Sequence, residues 1–479
     1  MFFSPNKLTL ALAGLTAITS AHAAGLDRSG QDVTAFLQDG TYAEVSYTYI
    51  DGDVTGHDNA NLGVTDLNAY TKGNKIDDIA EAYDFMRYGV KADINDTVSV
   101  GILYDEPWGA AAEYEGNNNF VSDATTIDSI VSGVSGGSLP NVATAQAVLP
   151  QLTQGAQQAA AAAQQAAAAG NTAQAQELAA QAQSLAAQAQ SVGSSLAIAQ
   201  GLATTDGEST NVDVHSENIT GLIGVKLGDN FQVYGGPAFQ RLEGDVALRG
   251  PAYLTSAGYD AHMSKDESVG WVAGAAFMKP EIALRAALTY RSEIDHENNI
   301  DERLPALDPT QTFSGDFEIT TPESFNFDFQ TGINPTTLAT AKVRYVPWSD
   351  FAIVPPYYNA ASKRTTQDDV GLPLVSYDDD QWQVELGLAK RLSPAVAVSG
   401  SLGWDSGAGN PTTSLGPIEG YYSVGAGAKL NMTENWALSA GGKYLMFGDA
   451  KGSIPNNKVV SNFEDNDGYV LGVKLSYQD

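Results

Sequence analysis

Five histidines, no cysteine and scattered serines leave this 479-residue chain little material for catalysis. His22 falls in a leader-like stretch. His57, His215, His262 and His296 stand in or beside polar segments far apart in sequence, with no Gly-x-Ser-x-Gly turn and no paired-histidine metal motif around them. A serine hydrolase needs nucleophile, base and orienting carboxylate brought together, and no spacing here assembles them. Neither an enzyme nor a metal or cofactor site is expected, and without cysteine there is no disulfide or thiolate-bound metal.

The side chains that could do chemistry are cations. Arg285, Lys342, Arg344, Lys429, Lys443 and Lys474 each interrupt a stretch that otherwise alternates apolar with small polar residues. In "TLATAKVRYV" Lys342 and Arg344 are two apart, hence on one face of a strand. A guanidinium and an ammonium side by side suit a carboxylate, so Lys342 and Arg344, with Arg285, are the candidates for holding a ligand carboxylate. The competing expectation is that such cations pair with acids such as Glu44, Asp328 and Glu385.

The elements that position these cations are strands. About fourteen period-2 segments lie near 41–50, 85–93, 97–107, 212–226, 231–243, 268–278, 281–292, 317–331, 337–347, 380–391, 395–405, 419–431, 435–447 and 467–477. Short connections ("DINDT", "LGDN", "MKPE", "INPT", "RLSP", "MTEN") alternate with long polar ones, which describes an outer-membrane β-barrel with tight periplasmic turns and long extracellular loops. In "IALRAALTYR" the set Ile282, Leu284, Ala286, Leu288 and Tyr290 opposes Arg285, Thr289 and Arg291. One face suits lipid and the other water. Arg or Lys on the lipid face would cost about 2–4 kcal/mol near the midplane, so these cations point inward. The last segment, "GYVLGVKLSYQD", alternates in the same way and is expected to pair with 41–50, closing the sheet so that no edge is left.

Two segments stand outside the barrel pattern. Residues 1–23 combine Lys7, an apolar run and "SAHAA", the layout of a signal peptide. Residues 141–203 are rich in Ala and Gln, and Ala favours helix. Leu178, Leu185 and Val192 recur every seven residues with Ala175, Ala182 and Ala189 between them, giving one helix an apolar seam. With Gly170-Asn171 as a turn, a two-helix extracellular hairpin is expected, and its removal is expected to spare the barrel's function. A formal charge of −32 argues against a nucleic-acid partner.

"AGLDRSGQDVTAFLQDGTYAEVSYTYIDGDVTG" resembles the mature start of the outer-membrane long-chain fatty acid transporters, the FadL family. "YDEPWGA", "VYGGPAFQRLEGDVALRG", "ALTYRSEI", "TPESFNFDFQTGI", "WDSGAGNP" and "GDA" extend the likeness in order over nearly the whole chain outside the Ala/Gln insertion. The Asn-Pro-Ala motif common in the family's hatch is absent. The resemblance implies an all-β, fourteen-stranded transmembrane barrel over 41–479, plugged by an N-terminal hatch over 24–40, in the bacterial outer membrane. It implies passive uptake of long-chain fatty acids or similar hydrophobic small molecules, with outer-membrane lipid as the surrounding partner and no cofactor. Substrate would be caught among extracellular loops and leave sideways at a kink in the third strand. Pro107, Trp108 and Gly109 supply such a kink, since proline removes a ladder donor and glycine weakens a strand. Tyr253 and Leu254, with Pro251, and Leu304, Leu307 and Phe313, with Pro305, are the apolar loop residues suited to capture. Alternatives on the same architecture are a channel for aromatic or aliphatic hydrocarbons and a structural or adhesive barrel.

Overall fold

A computed structural model describes residues 26–62, 66–135, 137–305, 308, 310–366 and 368–479. The leader segment, Ala24, Gly25 and Leu307 lie outside them. Seventeen hydrogen-bonded segments form one closed antiparallel sheet. They make fourteen strands, because three strands are interrupted. These are β1 (Tyr42–Asp53), β2 (Tyr83–Asp93), β3 (Val98–Asp105 and Gly109–Glu113), β4 (Asn211–Leu227), β5 (Phe231–Leu248), β6 (Tyr259–Lys279) and β7 (Leu284–Arg291 and Ile294–Arg303). The second half comprises β8 (Phe313–Thr321 and Ser324–Asn334), β9 (Thr337–Val346), β10 (Gln381–Arg391), β11 (Val396–Asp405), β12 (Tyr421–Asn431), β13 (Trp436–Phe447) and β14 (Asp467–Gln478). Closure is between the first and last strands, in register from Tyr42 opposite Gln478 to Asp53 opposite Asp467.

The alternation works as the two solvents require. On β7, Leu288 is 53% exposed while Arg285 and Thr289 are buried inward, and on β10, Leu386 and Leu388 face out while Gln383 is buried. Aromatic rings gird the upper edge in a chain from β6 to β10, Trp271–Tyr290–Phe325–Tyr345–Trp382, with centroids 5.0, 4.9, 6.2 and 4.7 Å apart. Phe231–Phe277 and Trp436–Tyr477 mark the lower edge. On β14, Tyr469 and Tyr477 are eight residues apart, which at about 3.4 Å per residue and a tilt of about 40° spans roughly 21 Å of hydrocarbon.

Three strands run differently from the expected spans. β6 begins at Tyr259, not near 268, because "YDAHMSKDES" pairs with β5 and β7 above the aromatic girdle. Both faces there meet water or protein, so the apolar alternation that marks the lipid zone disappears. The strand expected over 281–292 starts at Leu284, with Ile282 in a short 3₁₀ turn, and continues to Arg303. β8 breaks between Thr321 and Ser324, where Pro322 has no N–H for the ladder.

Above the membrane a five-stranded sheet caps the barrel, built from Gly56–Asn59, Lys72–Ile76, Val459–Phe463, Ala450–Ser453 and Thr412–Thr413. The largest apolar cluster lies between this cap and the upper lumen and includes Trp108, Tyr114, Phe120, Tyr253 and Trp348. Among the described residues four helices lie in the loops: α1 (Ala124–Val134), α2 (Val142–Ala168), α3 (Thr172–Leu202) and α4 (Pro356–Thr366). The α2–α3 hairpin matches the expected insertion. Asn141 caps α2 by accepting from the Thr144 N–H at 2.8 Å, and Gly170 turns the chain at φ +78. From Thr172 to Val192 the half-buried positions of α3 are Ala175, Leu178, Ala182, Leu185 and Ala189, with Val192 buried, so the seven-residue seam is the contact face. Among the described residues no helix is long and apolar enough to cross a membrane.

Candidate functional site

The lumen is filled by residues 26–40, which form turns rather than regular structure. Gly30 and Gln31 have positive φ, and Asp32 accepts from the Thr34 N–H at 2.6 Å, so local Asx and turn geometry folds the hatch back on itself. Val33, Phe36 and Leu37 are buried against Leu103, Leu222 and Tyr234 of the wall. Phe36 seats where the wall has glycine, since a Cβ on Gly101 would lie 2.6 Å from its ring.

The three cations proposed for a ligand carboxylate are engaged by this hatch. Arg344 donates through Nε and Nη2 to both oxygens of Asp27, at 2.6 and 3.1 Å, and through Nη1 to Asn326 Oδ1 at 2.9 Å and the Gly30 carbonyl at 3.3 Å. Lys342 Nζ lies 2.6 Å from Asp32 Oδ2 and 3.9 Å from Asp328. Arg285 donates to the Leu37 carbonyl at 3.3 Å. In this arrangement Lys342 and Arg344 are hatch anchors, and a ligand carboxylate reaches them only by displacing Asp32 or Asp27. Beside Lys342, Lys443 pairs with Glu385, and elsewhere in the lumen Lys474 pairs with Glu44 at 3.3 Å, as expected of inward cations and acids.

Pro107, Trp108 and Gly109 lie where β3 is broken, between Asp105 and Gly109. The β2–β3 ladder runs from Asp93–Ser99 up to Tyr88–Tyr104 and resumes with the bridge Ala80–Ala112. In the interval the backbone of β3 turns inward to the hatch: the Arg28 N–H donates to the Pro107 carbonyl and the Gly109 N–H to the Leu26 carbonyl, both at 2.8 Å. Trp108 is buried edge-on against Trp348, with centroids 5.4 Å apart. The β2–β3 ladder is therefore interrupted over this interval, where Leu26 and Arg28 of the hatch take up the backbone pairing of β3.

Three of the expected capture residues, Tyr253, Leu254 and Leu304, line an extracellular cavity of about 400 Å³; Leu307 lies outside the described residues. Tyr253 and Leu254 enter it from the turn Pro251–Ser256, Leu304 from the end of β7, Tyr358 and Ala361 from α4, and Ile454 from the cap. Phe313 lies nearby, stacked on Tyr357 at 5.3 Å with rings 5° from parallel. Leu254 has φ 52 and ψ −121, a conformation that L side chains rarely adopt, and its side chain is 39% exposed. Holding a non-glycine residue in that conformation costs about 1–3 kcal/mol. Burial pushes the Tyr253 phenol well above its usual value and that of Tyr358 up to about 12, so both stay neutral, and Arg364 is the charged residue of the lining.

Two elements of this cavity were not foreseen. Ile198 of α3 lines it, and Ile198 and Leu202 pack on Ile130 and Ala257. The Ala/Gln insertion thus supplies part of the cavity wall through Ile198. Glu302, fully buried, accepts from the Tyr357 and Tyr358 N–H groups at 2.8 and 2.9 Å and from the Tyr259 hydroxyl at 2.9 Å. Its carboxylate fixes the N-terminus of α4, where the helix dipole favours an anion. An isolated Glu in a polar stretch carries no sequence signal of that role.

A closed barrel with an apolar outer belt, a lumen filled by its own N-terminal segment and an interrupted third strand defines a plugged outer-membrane β-barrel. Solved structures of the same fold include a Pseudomonas aeruginosa FadL homologue, at 12% identity and TM-score 0.60 over 98% of both chains. The toluene transporter TodX of Pseudomonas putida aligns at 9% identity and TM-score 0.52 over 97% of both chains. The monoaromatic hydrocarbon channel CymD aligns at 10% identity and TM-score 0.50, over 99% of this chain and 97% of its own. No protein-family model and no curated protein matches the sequence. The fold implied by the resemblance to FadL transporters is the fold found.

Proposed function

We propose that this protein is a passive uptake channel for long-chain fatty acids or similar hydrophobic compounds. The observation that carries the reading is the mostly apolar 400 Å³ cavity on the extracellular side, with Arg364 as the one charged residue among the described residues of its lining, standing above a filled lumen whose wall is interrupted at β3. An apolar solute gains roughly 25 cal/mol for each Å² removed from water, enough for weak reversible capture in such a cavity. It cannot follow a water-filled path, since the hatch fills the lumen, and the break beside Pro107–Gly109 offers a sideways exit into the bilayer. The second reading, a channel for monoaromatic hydrocarbons, is supported by the likeness of the fold to TodX and CymD.

Uptake of labelled oleate and labelled toluene by cells with and without the barrel tests both. Protein-dependent oleate uptake that falls severalfold in Leu254→Asp, with the barrel still assembled, supports the first reading. Protein-dependent uptake of toluene alone supports the second. Equal rates with and without the protein for both compounds refute uptake altogether.

A further inference from the structure

Arg28 belongs to the hatch, and its backbone N–H is bonded to the wall, but its guanidinium makes no short hydrogen bond. It is buried, 4% exposed, and stacks over the Tyr83 ring 4.3 Å from the centroid. Its Nη1 makes one long contact, 3.4 Å to His215 Nδ1, while Nε and Nη2 have no hydrogen-bond partner among the described residues. Those two nitrogens form one edge of the guanidinium, and such an edge donates two parallel bonds to a carboxylate. The neighbouring acids are committed elsewhere: Asp213 to His215 Nε2 at 2.6 Å, Glu106 to the Tyr104 hydroxyl at 3.3 Å, and Asp27 to Arg344. Buried, charged donors without acceptors are costly to maintain unless something else uses them.

The surroundings say what could. Arg28 lines a cavity of about 110 Å³ at the break in β3, whose other walls include Ile50, Val54, Ile418, Leu445 and Phe447, together with Asp27, which is held by Arg344, and Glu81, which is exposed to solvent. That is the scale of space that holds a benzene-sized group or a short run of methylenes. Gly109 makes room for the guanidinium: a Cβ there would lie 2.4 Å from the Arg28 Cζ. The geometry points to Arg28 as the carboxylate-binding residue of an inner site at the β3 break, one that takes apolar monocarboxylates. Both an aromatic acid and the carboxyl end of an alkanoic acid fit this chemistry. The inference rests on the uptake reading above and adds to it which end of the substrate is recognised and where.

The test is a ratio of affinities, measured by calorimetry on the full-length barrel in an uncharged detergent. Octanoate is compared with octanol and benzoate with benzyl alcohol, for the wild type, Arg28→Met and Gly109→Ala. Two charge-assisted bonds should favour acid over alcohol roughly 10- to 100-fold in the wild type. That ratio should fall towards one in Arg28→Met and in Gly109→Ala, whose methyl group displaces the guanidinium while keeping it in the chain. A preference confined to octanoate assigns the site to alkanoic acids, and one confined to benzoate to aromatic acids. No acid preference in the wild type, or a preference that survives in both variants, overturns the inference. Protein-dependent uptake of the neutral compounds would still stand in either case, so its failure is a separate result.

Discussion

Replacing Arg344 with Met should unplug the barrel. Arg344 makes five hydrogen bonds, to Asp27 twice, Gly30, Gln31 and Asn326, and all but the last hold the hatch to β9. Methionine keeps much of the stem's volume and removes every donor. Asp27, 2% exposed, is then left as a buried carboxylate with no cation against it. Breaking a buried ion pair from one side costs about 3–5 kcal/mol. If that falls on the equilibrium between docked and undocked hatch, the undocked population rises roughly a hundredfold to several thousandfold. The consequence is electrical: single-channel recordings in planar bilayers should show frequent large conductance steps in Arg344→Met and few in the wild type. Asp27→Asn added to Arg344→Met removes the stranded charge and should restore part of the closure, with a coupling of about 1–3 kcal/mol. Conductance and melting of Arg344→Met indistinguishable from wild type would refute the anchor argument. Reduced oleate binding with unchanged conductance would return Arg344 to the role of ligand carboxylate partner.

Other elements of the structure give shorter tests. Glu302→Ala removes the anion that holds the first turn of α4, so thermal unfolding should show a loss of about 3 kcal/mol and oleate capture should weaken. Replacing residues 156–184 with a short turn removes only the outer part of the α2–α3 hairpin, beyond the Gly155–Leu185 contact, and should leave uptake intact, whereas Ile198→Asp should reduce it severalfold. Leu254→Gly relieves the backbone strain at φ 52, so capture should weaken with no loss of melting temperature. Leu402→Lys places a charge on the lipid face at a side chain 63% exposed, and should lower stability in lipid by about 2–4 kcal/mol, measured by denaturant titration of the refolded barrel.

What the sequence reveals here follows from how far apart the interacting residues are. The lipid face is legible because every strand meets the same two solvents, so Leu288 beside Thr289 reports its direction from one local pattern. The closing pair of β1 and β14 is legible too, since a barrel leaves its terminal strands no other partner. The partners of inward cations are a different matter. Parity places Lys342 and Lys443 alike in the lumen, yet Lys443 meets Glu385 of the wall while Lys342 meets Asp32 of the hatch, 310 residues away. Nothing local separates a cation that pairs across the wall from one that anchors the plug or waits for a ligand. The break at Pro107–Gly109 makes the same point more sharply. Proline and glycine mark a weak point in a strand, but the strand stops because Leu26 and Arg28 supply the missing pairing. Gly109 is required by the guanidinium packed against its Cα rather than by its own backbone. Hatch, strand break and buried cation are therefore one unit, and altering any of them should change the other two.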